Sequence, residues 1–294
     1  MSGHKINKKK VRDTVIWGLL LAAIVAGLFF SVQRKQNAKV QSIKIEITGL
    51  KDGEQLIKEK EVKQILQLAA GKTLNQVNIK TLDLRKLEAK LNLDKRIEQA
   101  DLYFDSNDCL HVKVIQRKPI MRVMEVSGNE YFLDAQGERI PFVRGSIVRV
   151  PVVTGVRDTF FDKMLISDKP SKLKDVFEVM KFVSEDAFLS ALIEQANIEA
   201  GGNGNIVLVP KVGREKIVFG NASDIRSKFD NLKIFYKDGM PKLGWNRYKT
   251  LNLSYTKQVR GILADPANAP KIKPMVQDSL TAELNNINNH NIHN

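Results

Sequence analysis

The chain has 294 residues, of which 43% are hydrophobic and 27% charged, and its formal net charge is +14. This length allows one or two domains, and the single cysteine, Cys109, excludes an internal disulfide. Residues 1–39 carry eight Lys or Arg against one acid, so half of the basic excess lies in this terminal segment. Because the remaining charges are mixed in sign and no zinc-finger or RNA-binding motif accompanies them, the sequence predicts no nucleic-acid binding.

The first predicted element is the apolar stretch Val15–Val32, which follows a basic cytoplasmic tail at residues 1–14. An uncharged helix of this length spans about 27 Å, close to the roughly 30 Å of a bilayer core, so we predict one transmembrane helix over residues 15–32. The preceding lysines place the N-terminus in the cytoplasm and, after a linker at residues 33–39, everything else outside it. The alternative is a cleaved signal peptide, which has a shorter apolar run and a small-residue cleavage site. The predicted membrane-anchor residues are Trp17, Leu19, Leu20, Leu21, Ile24, Val25, Leu28, Phe29 and Phe30.

Short periodic elements follow over residues 40–119. Apolar residues alternate with polar ones from Ile43 to Ile47, which predicts a strand with one buried face. Two amphipathic helices are predicted next, at Lys58–Ala70 and along the leucine stripe Leu84–Leu91, the second with Thr81 as its N-cap. Two strands joined by a polar turn complete the segment. The predicted order is β-α-α-β-β.

The residues that carry reactive side chains form no recognisable catalytic pattern. Cys109 opens an apolar alternation and is predicted to be a buried, unreactive thiol. The histidines His4, His111, His290 and His293 are scattered over a tail, a strand and the C-terminal end. No G-x-S-x-G or H-E-x-x-H motif is present. The sequence therefore predicts no enzyme, no cofactor and no metal site.

Residues 120–263 have the pattern of a mixed, β-rich domain, and residues 264–294, which are rich in proline and asparagine, that of a disordered tail. Short alternating runs predict strands, and longer stripes with helical spacing predict helices. The predicted elements are strands at Tyr131–Leu133 and Val148–Val153, a helix at Leu173–Val183, a hairpin of Ile206–Val209 and Lys216–Phe219, a helix at Ala222–Tyr236 capped by Asn221 or Ser223, and a last strand at Trp245–Lys257.

Four short motifs occur in a fixed order behind the apolar stretch. They are Ile97-x-x-Ala100-x-Leu102, the run Val114–Ile120, the turn Phe132–Gly137 and the run Val150–Gly155. In this order they resemble the bacterial cell-division family FtsQ, also called DivIB, whose membrane-proximal module is a POTRA domain. That family more often has Glu at the position of Gln116. The predicted fold class is thus α+β: a single N-terminal transmembrane helix, a POTRA domain, and a mixed β-rich domain that ends in an exposed edge strand.

The resemblance implies a non-catalytic, bitopic scaffold of the divisome, located in the inner membrane and enriched at the septum. It implies that the last strand accepts a strand from the small bitopic protein FtsB, which travels with FtsL. It also implies contacts between the POTRA domain and the FtsW–FtsI septal synthase complex. Asn252 and Ser254 stand where the family has an acid and a base. The alternative is a membrane-anchored envelope enzyme or sensor with a POTRA-like module. The predicted partner-binding residues are Thr250, Leu251, Asn252, Leu253, Ser254, Tyr255, Thr256 and Lys257.

Overall fold

The structure is a computed structural model, and it describes most of the chain between residues 16 and 264. The chain divides into two compact units. Unit 1 contains the described part of residues 1–120 and 130–150, and unit 2 the described part of residues 121–129 and 151–294. The described residues are 16–27, 38–51, 53–158, 160, 165, 170–201, 204–245, 247–255 and 258–264.

The helix of the N-terminal segment, α1, covers residues 16–27, and its side chains are exposed. Within the described ranges, no helix combines the length and the apolar character needed to span a membrane. The predicted transmembrane helix over residues 15–32 is therefore wrong for the part of the chain that the structure describes. The predicted anchor residues from Trp17 to Val25 lie on α1, whereas Leu28, Phe29 and Phe30 fall outside the described residues.

Unit 1 is built on a three-stranded sheet that carries two helices. Its strands are β1 (Ser42–Thr48), β2 (Ile97–Phe104) and β3 (Cys109–Gln116), and they lie in the order β1-β3-β2. β1 runs parallel to β3, and β2 runs antiparallel to it. Helix α2 (Glu59–Ala70) packs against β1 and helix α3 (Leu84–Asn92) against β2. The predicted β-α-α-β-β order is confirmed.

The apolar stripes of both helices face this sheet, as their periodicity predicts. Asp83 caps α3 through its carboxylate, which accepts the Lys86 N–H at 3.1 Å. The predicted cap, Thr81, is wrong because this residue ends a short 3-10 turn, Ile79–Thr81, before α3 begins. The helices and the sheet share one core of buried side chains, which includes Val62, Leu66, Leu87, Leu91, Leu102, Val112 and Val114.

An ion-pair cluster joins the start of α2 to the turn that follows α3. The Arg96 guanidinium lies 2.6 Å from the Glu61 carboxylate and 2.7 Å from the Asp94 carboxylate. Arg96 is buried, so both carboxylates meet a cation that water screens little. The cluster therefore ties two elements that are distant in sequence.

Acidification is expected to destabilise unit 1 through this cluster. Burial raises the pKa of Asp94, but the hydrogen bonds and charge of Arg96 outweigh it and leave this pKa below its ordinary value of 3.8. The pKa of Glu61 is likewise held below 4.5, because hydrogen bonds from Arg96 and Lys58 outweigh burial. A lowered folded-state pKa contributes stability above the unfolded pKa, and this stability is lost as the pH falls through the folded value.

Thermal unfolding followed by circular dichroism between about pH 7 and pH 3 checks this expectation, with a Tm that falls toward low pH. The matched variant Arg96→Gln keeps hydrogen-bond donors but removes the charge, so we expect a lower Tm and a flatter pH profile. A profile in Arg96→Gln as steep as that of the parent chain would contradict the role of the cluster.

Residues 130–150 belong to unit 1, although they follow part of unit 2 in the sequence. They contain the hairpin of β5 (Glu130–Asp134) and β6 (Arg139–Pro141). The Asp134 carboxylate is 1% exposed and accepts a hydrogen bond of 2.8 Å from Arg117, next to β3. A small apolar cluster of Leu56, Phe132 and Ile140 lies in the same unit. The predicted strand at Tyr131–Leu133 is confirmed.

Unit 2 contains a mixed sheet. It has three parallel pairs of strands, and two of them are joined by crossover connections that contain helices. The strands are β4 (Pro119–Glu125), β7 (Val152–Val156), β8 (Ile193–Ile198), β9 (Ile206–Pro210), β10 (Lys216–Gly220), β11 (Tyr248–Asn252) and β12 (Arg260–Leu263). They lie in the order β12-β11-β10-β9-β8-β7-β4, and β9 and β10 form the predicted hairpin.

Helix α4 (Lys172–Glu185) packs against β7 and β8 and contacts helix α6 (Ile225–Ile234). The predicted helix at Leu173–Val183 is confirmed by α4, and the one at Ala222–Tyr236 by α6 and the π-helical turn that extends it. The N-cap of α6 is Asp224, in place of the predicted Asn221 or Ser223. The helices of unit 2 are α4 (Lys172–Glu185), α5 (Ala187–Leu192), α6 (Ile225–Ile234), the π-helical turn Phe235–Gly239 and α7 (Met240–Leu243).

Candidate protein-interaction surface

The predicted partner-binding strand lies one position inside the sheet. β11 pairs with β10 in parallel and with β12 in an antiparallel register. Thr250, Leu251 and Asn252 each have a partner residue on both neighbouring strands. The prediction that the domain ends in this strand as an exposed edge is therefore wrong, because Arg260–Leu263 returns beside it. The four residues of Arg260–Leu263 are too few to show an alternation of apolar and polar residues that would predict a strand.

The side chains of the predicted segment alternate only as far as Leu253. Leu251 and Leu253 are buried, as predicted, but Tyr255 is 43% exposed. The alternation ends because the Asn252 side chain accepts the Ser254 N–H at 2.8 Å and turns the chain. The Arg260 guanidinium then covers the Tyr255 ring at 3.8 Å.

The remaining predicted residues differ in exposure. Thr250 and Asn252 are partly exposed and Ser254 is exposed. Thr256 and Lys257 fall outside the described residues. The structure thus leaves partner binding by these side chains a prediction.

An aromatic contact holds β12 against β11. The Tyr248 ring lies so close to Gly261 that a Cβ on that glycine would come within 2.4 Å of two ring carbons. The Phe235 ring packs edge-on against Tyr248, with 5.5 Å between the ring centres. Gly261 has no side chain to pack across the two strands, and the Tyr248 ring fills this place by covering the glycine.

The π-helical turn is anchored beneath these aromatic side chains. The buried Tyr236 hydroxyl donates to the Glu215 carboxylate, which is also buried. Burial and this hydrogen bond to a carboxylate both raise the pKa of Tyr236, so the phenol stays protonated. Because Glu215 directly precedes β10, the contact ties the turn to the same part of the sheet.

β12 is the edge strand at this end of the sheet among the described residues. Arg260 and Ile262, two residues apart on one face, are both exposed, the isoleucine to 59%. The N–H of Ala264, just after the strand, donates to the Arg247 carbonyl at 2.9 Å. N–H groups alternate between the two edges of a strand, so the N–H of Leu263 points away from β11. The edge therefore offers a backbone donor beside one cationic and one apolar side chain.

A second group of polar side chains lies at the turn between β2 and β3 in unit 1. Asp105 accepts the backbone N–H of Cys109, and its other carboxylate oxygen lies 3.1 Å from the His111 ring nitrogen. The ligand atoms of Asp105, Cys109 and His111 all lie within 4.8 Å of one another. In the sequence, the signal that would group these three residues is an acid before a turn followed by Cys-x-His after it.

Two known families match the chain at the positions of these features. The family described as POTRA-like domain matches residues 38–115, and the one described as FtsQ/DivIB, C-terminal related, matches residues 118–260. The chain belongs to the FtsQ/DivIB family. The FtsQ/DivIB match ends at Arg260, which is the first residue of β12. The start of this strand, which was not predicted from the sequence, therefore lies in the matched range. A search of the curated proteins finds no match to the chain.

The FtsQ/DivIB family is a family of non-enzymatic cell-division proteins. The family indicates a protein of the division-site membrane whose partners are other division proteins. The predicted family and its POTRA domain are thereby confirmed, and with them the general role in cell division. An interaction surface, rather than a catalytic pocket, is the kind of functional site that this membership leads us to expect.

Proposed function

We propose that this chain is a non-catalytic scaffold of the bacterial divisome, which recruits and bridges other division proteins for septum formation. It acts at the inner membrane, is enriched at the division septum, and exposes both units to the periplasm. The observation that carries the proposal is β12, the edge strand among the residues that the structure describes, since such an edge can take a further strand from a partner. Contact of the apolar side chains of α1 with a membrane stays a prediction.

The partner at this edge is an FtsB-type bitopic protein that travels with an FtsL-type protein. In strand addition the backbone supplies affinity, and alternate side chains select the partner. The exposed face of β12 carries Arg260 and Ile262, so it suits a strand with an acidic and an apolar side chain two residues apart. Of the residues predicted to bind the partner, Ser254 and Tyr255 are exposed close to this strand and are the ones able to contribute contacts. Unit 1, through its POTRA-like domain, contacts the FtsW–FtsI septal synthase complex.

Replacing Leu263 with proline is expected to abolish copurification of the FtsB-type partner. Proline removes the N–H of Leu263, which points away from β11, and leaves the pairing of β12 with β11 in place. A proline at Asn252 would be less informative, because this residue pairs with both neighbouring strands and its replacement would disrupt the sheet. Affinity purification of the full chain from growing cells, with detection of the partner, measures the effect.

The matched control is Leu263→Val, which keeps the N–H and a β-branched apolar side chain at the same position. We expect Leu263→Val to retain the partner and both variants to show the circular dichroism and Tm of the parent chain. Full copurification of the partner by a folded Leu263→Pro chain would show that strand addition at β12 is not the binding mode.

The scaffold role itself is tested by depletion. Cells that lose the chain are expected to form filaments with incomplete septa, and a fluorescent fusion is expected to form a midcell ring. Normal division on depletion, with loss of a metabolic activity instead, would favour a membrane-associated envelope enzyme or sensor.

A further inference from the structure

The β2–β3 turn of unit 1 brings together three side chains of types that bind transition metals. Asp105 precedes the turn, and Cys109 and His111 follow it on β3. Because Cys109 and His111 are two residues apart in a strand, their side chains lie on the same face of the sheet. This face is opposite to the one that packs on α2 and α3, since the residues between and after them, Leu110 and Val112, are in the core.

The spacing of the three ligand atoms is close to that of a tetrahedral site. Zinc bonds of about 2.0–2.3 Å at tetrahedral angles separate ligand atoms by roughly 3.3–3.7 Å. The Asp105 oxygen and the His111 nitrogen are already 3.1 Å apart, and no pair among the three exceeds 4.8 Å. The longest separation therefore exceeds the tetrahedral range by no more than about 1 Å.

We propose that Asp105, Cys109 and His111 bind a zinc ion, with water as the fourth ligand. Thiolate, imidazole and carboxylate are the three ligand types that Zn²⁺ takes in proteins, and a site with three protein ligands keeps one open position. The side chains of His111 and Asp105 are 22% and 31% exposed, which leaves room for that water, whereas Cys109 is buried. Binding of Zn²⁺ displaces the thiol proton of Cys109, which is released to solvent.

The surroundings hold two of the ligands in place. The backbone N–H groups of Asn107 and Cys109 donate to one oxygen of Asp105, which leaves the other oxygen facing His111. The Tyr103 ring stacks on the imidazole of His111 at 4.9 Å between ring centres and fixes its orientation. A bound ion would join the end of β2 to the start of β3 and stabilise this hairpin.

Titration of the full chain with zinc chloride in a calorimeter tests the proposal. The parent for this experiment is the His290→Gln, His293→Gln chain, so that the imidazoles near the C-terminal end contribute nothing to the measured binding. We expect one ion per chain, release of about one proton, and a higher Tm when Zn²⁺ is present. Cobalt(II) is expected to give a sulfur-to-metal charge-transfer band that disappears in Cys109→Ser.

Three variants and one control separate ligand loss from general damage. Cys109→Ser, His111→Gln and Asp105→Asn are each expected to weaken Zn²⁺ binding by at least about 10-fold. Asp105→Asn keeps the oxygen that accepts the backbone N–H groups of the turn. The control Asp108→Asn removes an equal charge from the same turn at a φ of 58°, which asparagine accepts, and is expected to bind normally.

Circular dichroism establishes that each variant is folded before it is titrated. No binding by the parent of this experiment, or undiminished binding by folded Cys109→Ser and His111→Gln chains, would overturn the proposal. Because the calorimetric readout does not involve any division partner, its failure leaves the proposed scaffold role untouched.

Discussion

Alanine at position 155 is expected to destabilise unit 2 by about 3 kcal/mol or more. Gly155 lies within β7 at a φ of +76°, and a Cβ there would come within 2.2 Å of the Ile198 carbonyl oxygen. The positive φ and the overlap each disfavour any side chain at this position. The overlap cannot be relieved by rotating a side chain, because the Ile198 carbonyl oxygen belongs to the backbone. The neighbouring contact between Thr154 and Asn197, 2.9 Å long, holds the two strands at this distance.

Urea denaturation followed by the fluorescence of Trp245, which lies in unit 2, measures this loss. The control is Gly128→Ala in the same unit, where φ is +91° but no atom lies within 4 Å of the added Cβ. Only the backbone term acts there, so we expect a loss of about 1–2 kcal/mol. Equal losses in the two variants would mean that the close approach of β7 to β8 is not what requires glycine.

Leucine at position 116 is expected to destabilise unit 1 by about 2–5 kcal/mol. Gln116 is 3% exposed, and its side-chain oxygen accepts the backbone N–H groups of Leu56 and Ile57 at 2.7 and 3.1 Å. Leu56 and Ile57 are also buried, so leucine would leave two backbone donors without a partner and out of reach of water. The loop before α2 would lose its attachment to the end of β3.

Glutamate is the matched replacement, because it keeps an acceptor oxygen at the same position. A carboxylate that accepts two N–H groups offsets much of the cost of burying its charge, so we expect Gln116→Glu to be within about 1 kcal/mol of the parent at neutral pH. Thermal unfolding of both variants measures the difference, and a Gln116→Leu chain as stable as Gln116→Glu would contradict the proposed attachment.

Local periodicity was sufficient to predict unit 1 up to residue 116. The alternation at Ile43–Ile47 became β1, and the stripe at Lys58–Ala70 became α2, with Lys58 as its N-cap. These patterns are reliable because strands and helices repeat at different spacings and each buries one face. The predictions failed by one or two residues at caps such as Thr81, where several polar residues compete for the same helix end.

Elements that are short or buried on both sides escaped prediction. β8 and β12 have no clear alternation, and β12 is identified only by its pairing with β11. Because β12 was not predicted, the edge of the sheet lies at β12 and not at β11, where the sequence placed it.

What the sequence by itself determined about this protein is its family, its α+β class and the local elements of its POTRA-like domain, since all of these follow from residue order and periodicity. Only the tertiary structure decided which strand forms the edge of the sheet, that residues 130–150 fold with unit 1, and that Asp105, Cys109 and His111 converge. Each of these depends on which backbone and side-chain groups meet across turns and crossover connections. Spacing along the chain carries no direct information on such meetings, because they are selected by the packing of the whole unit.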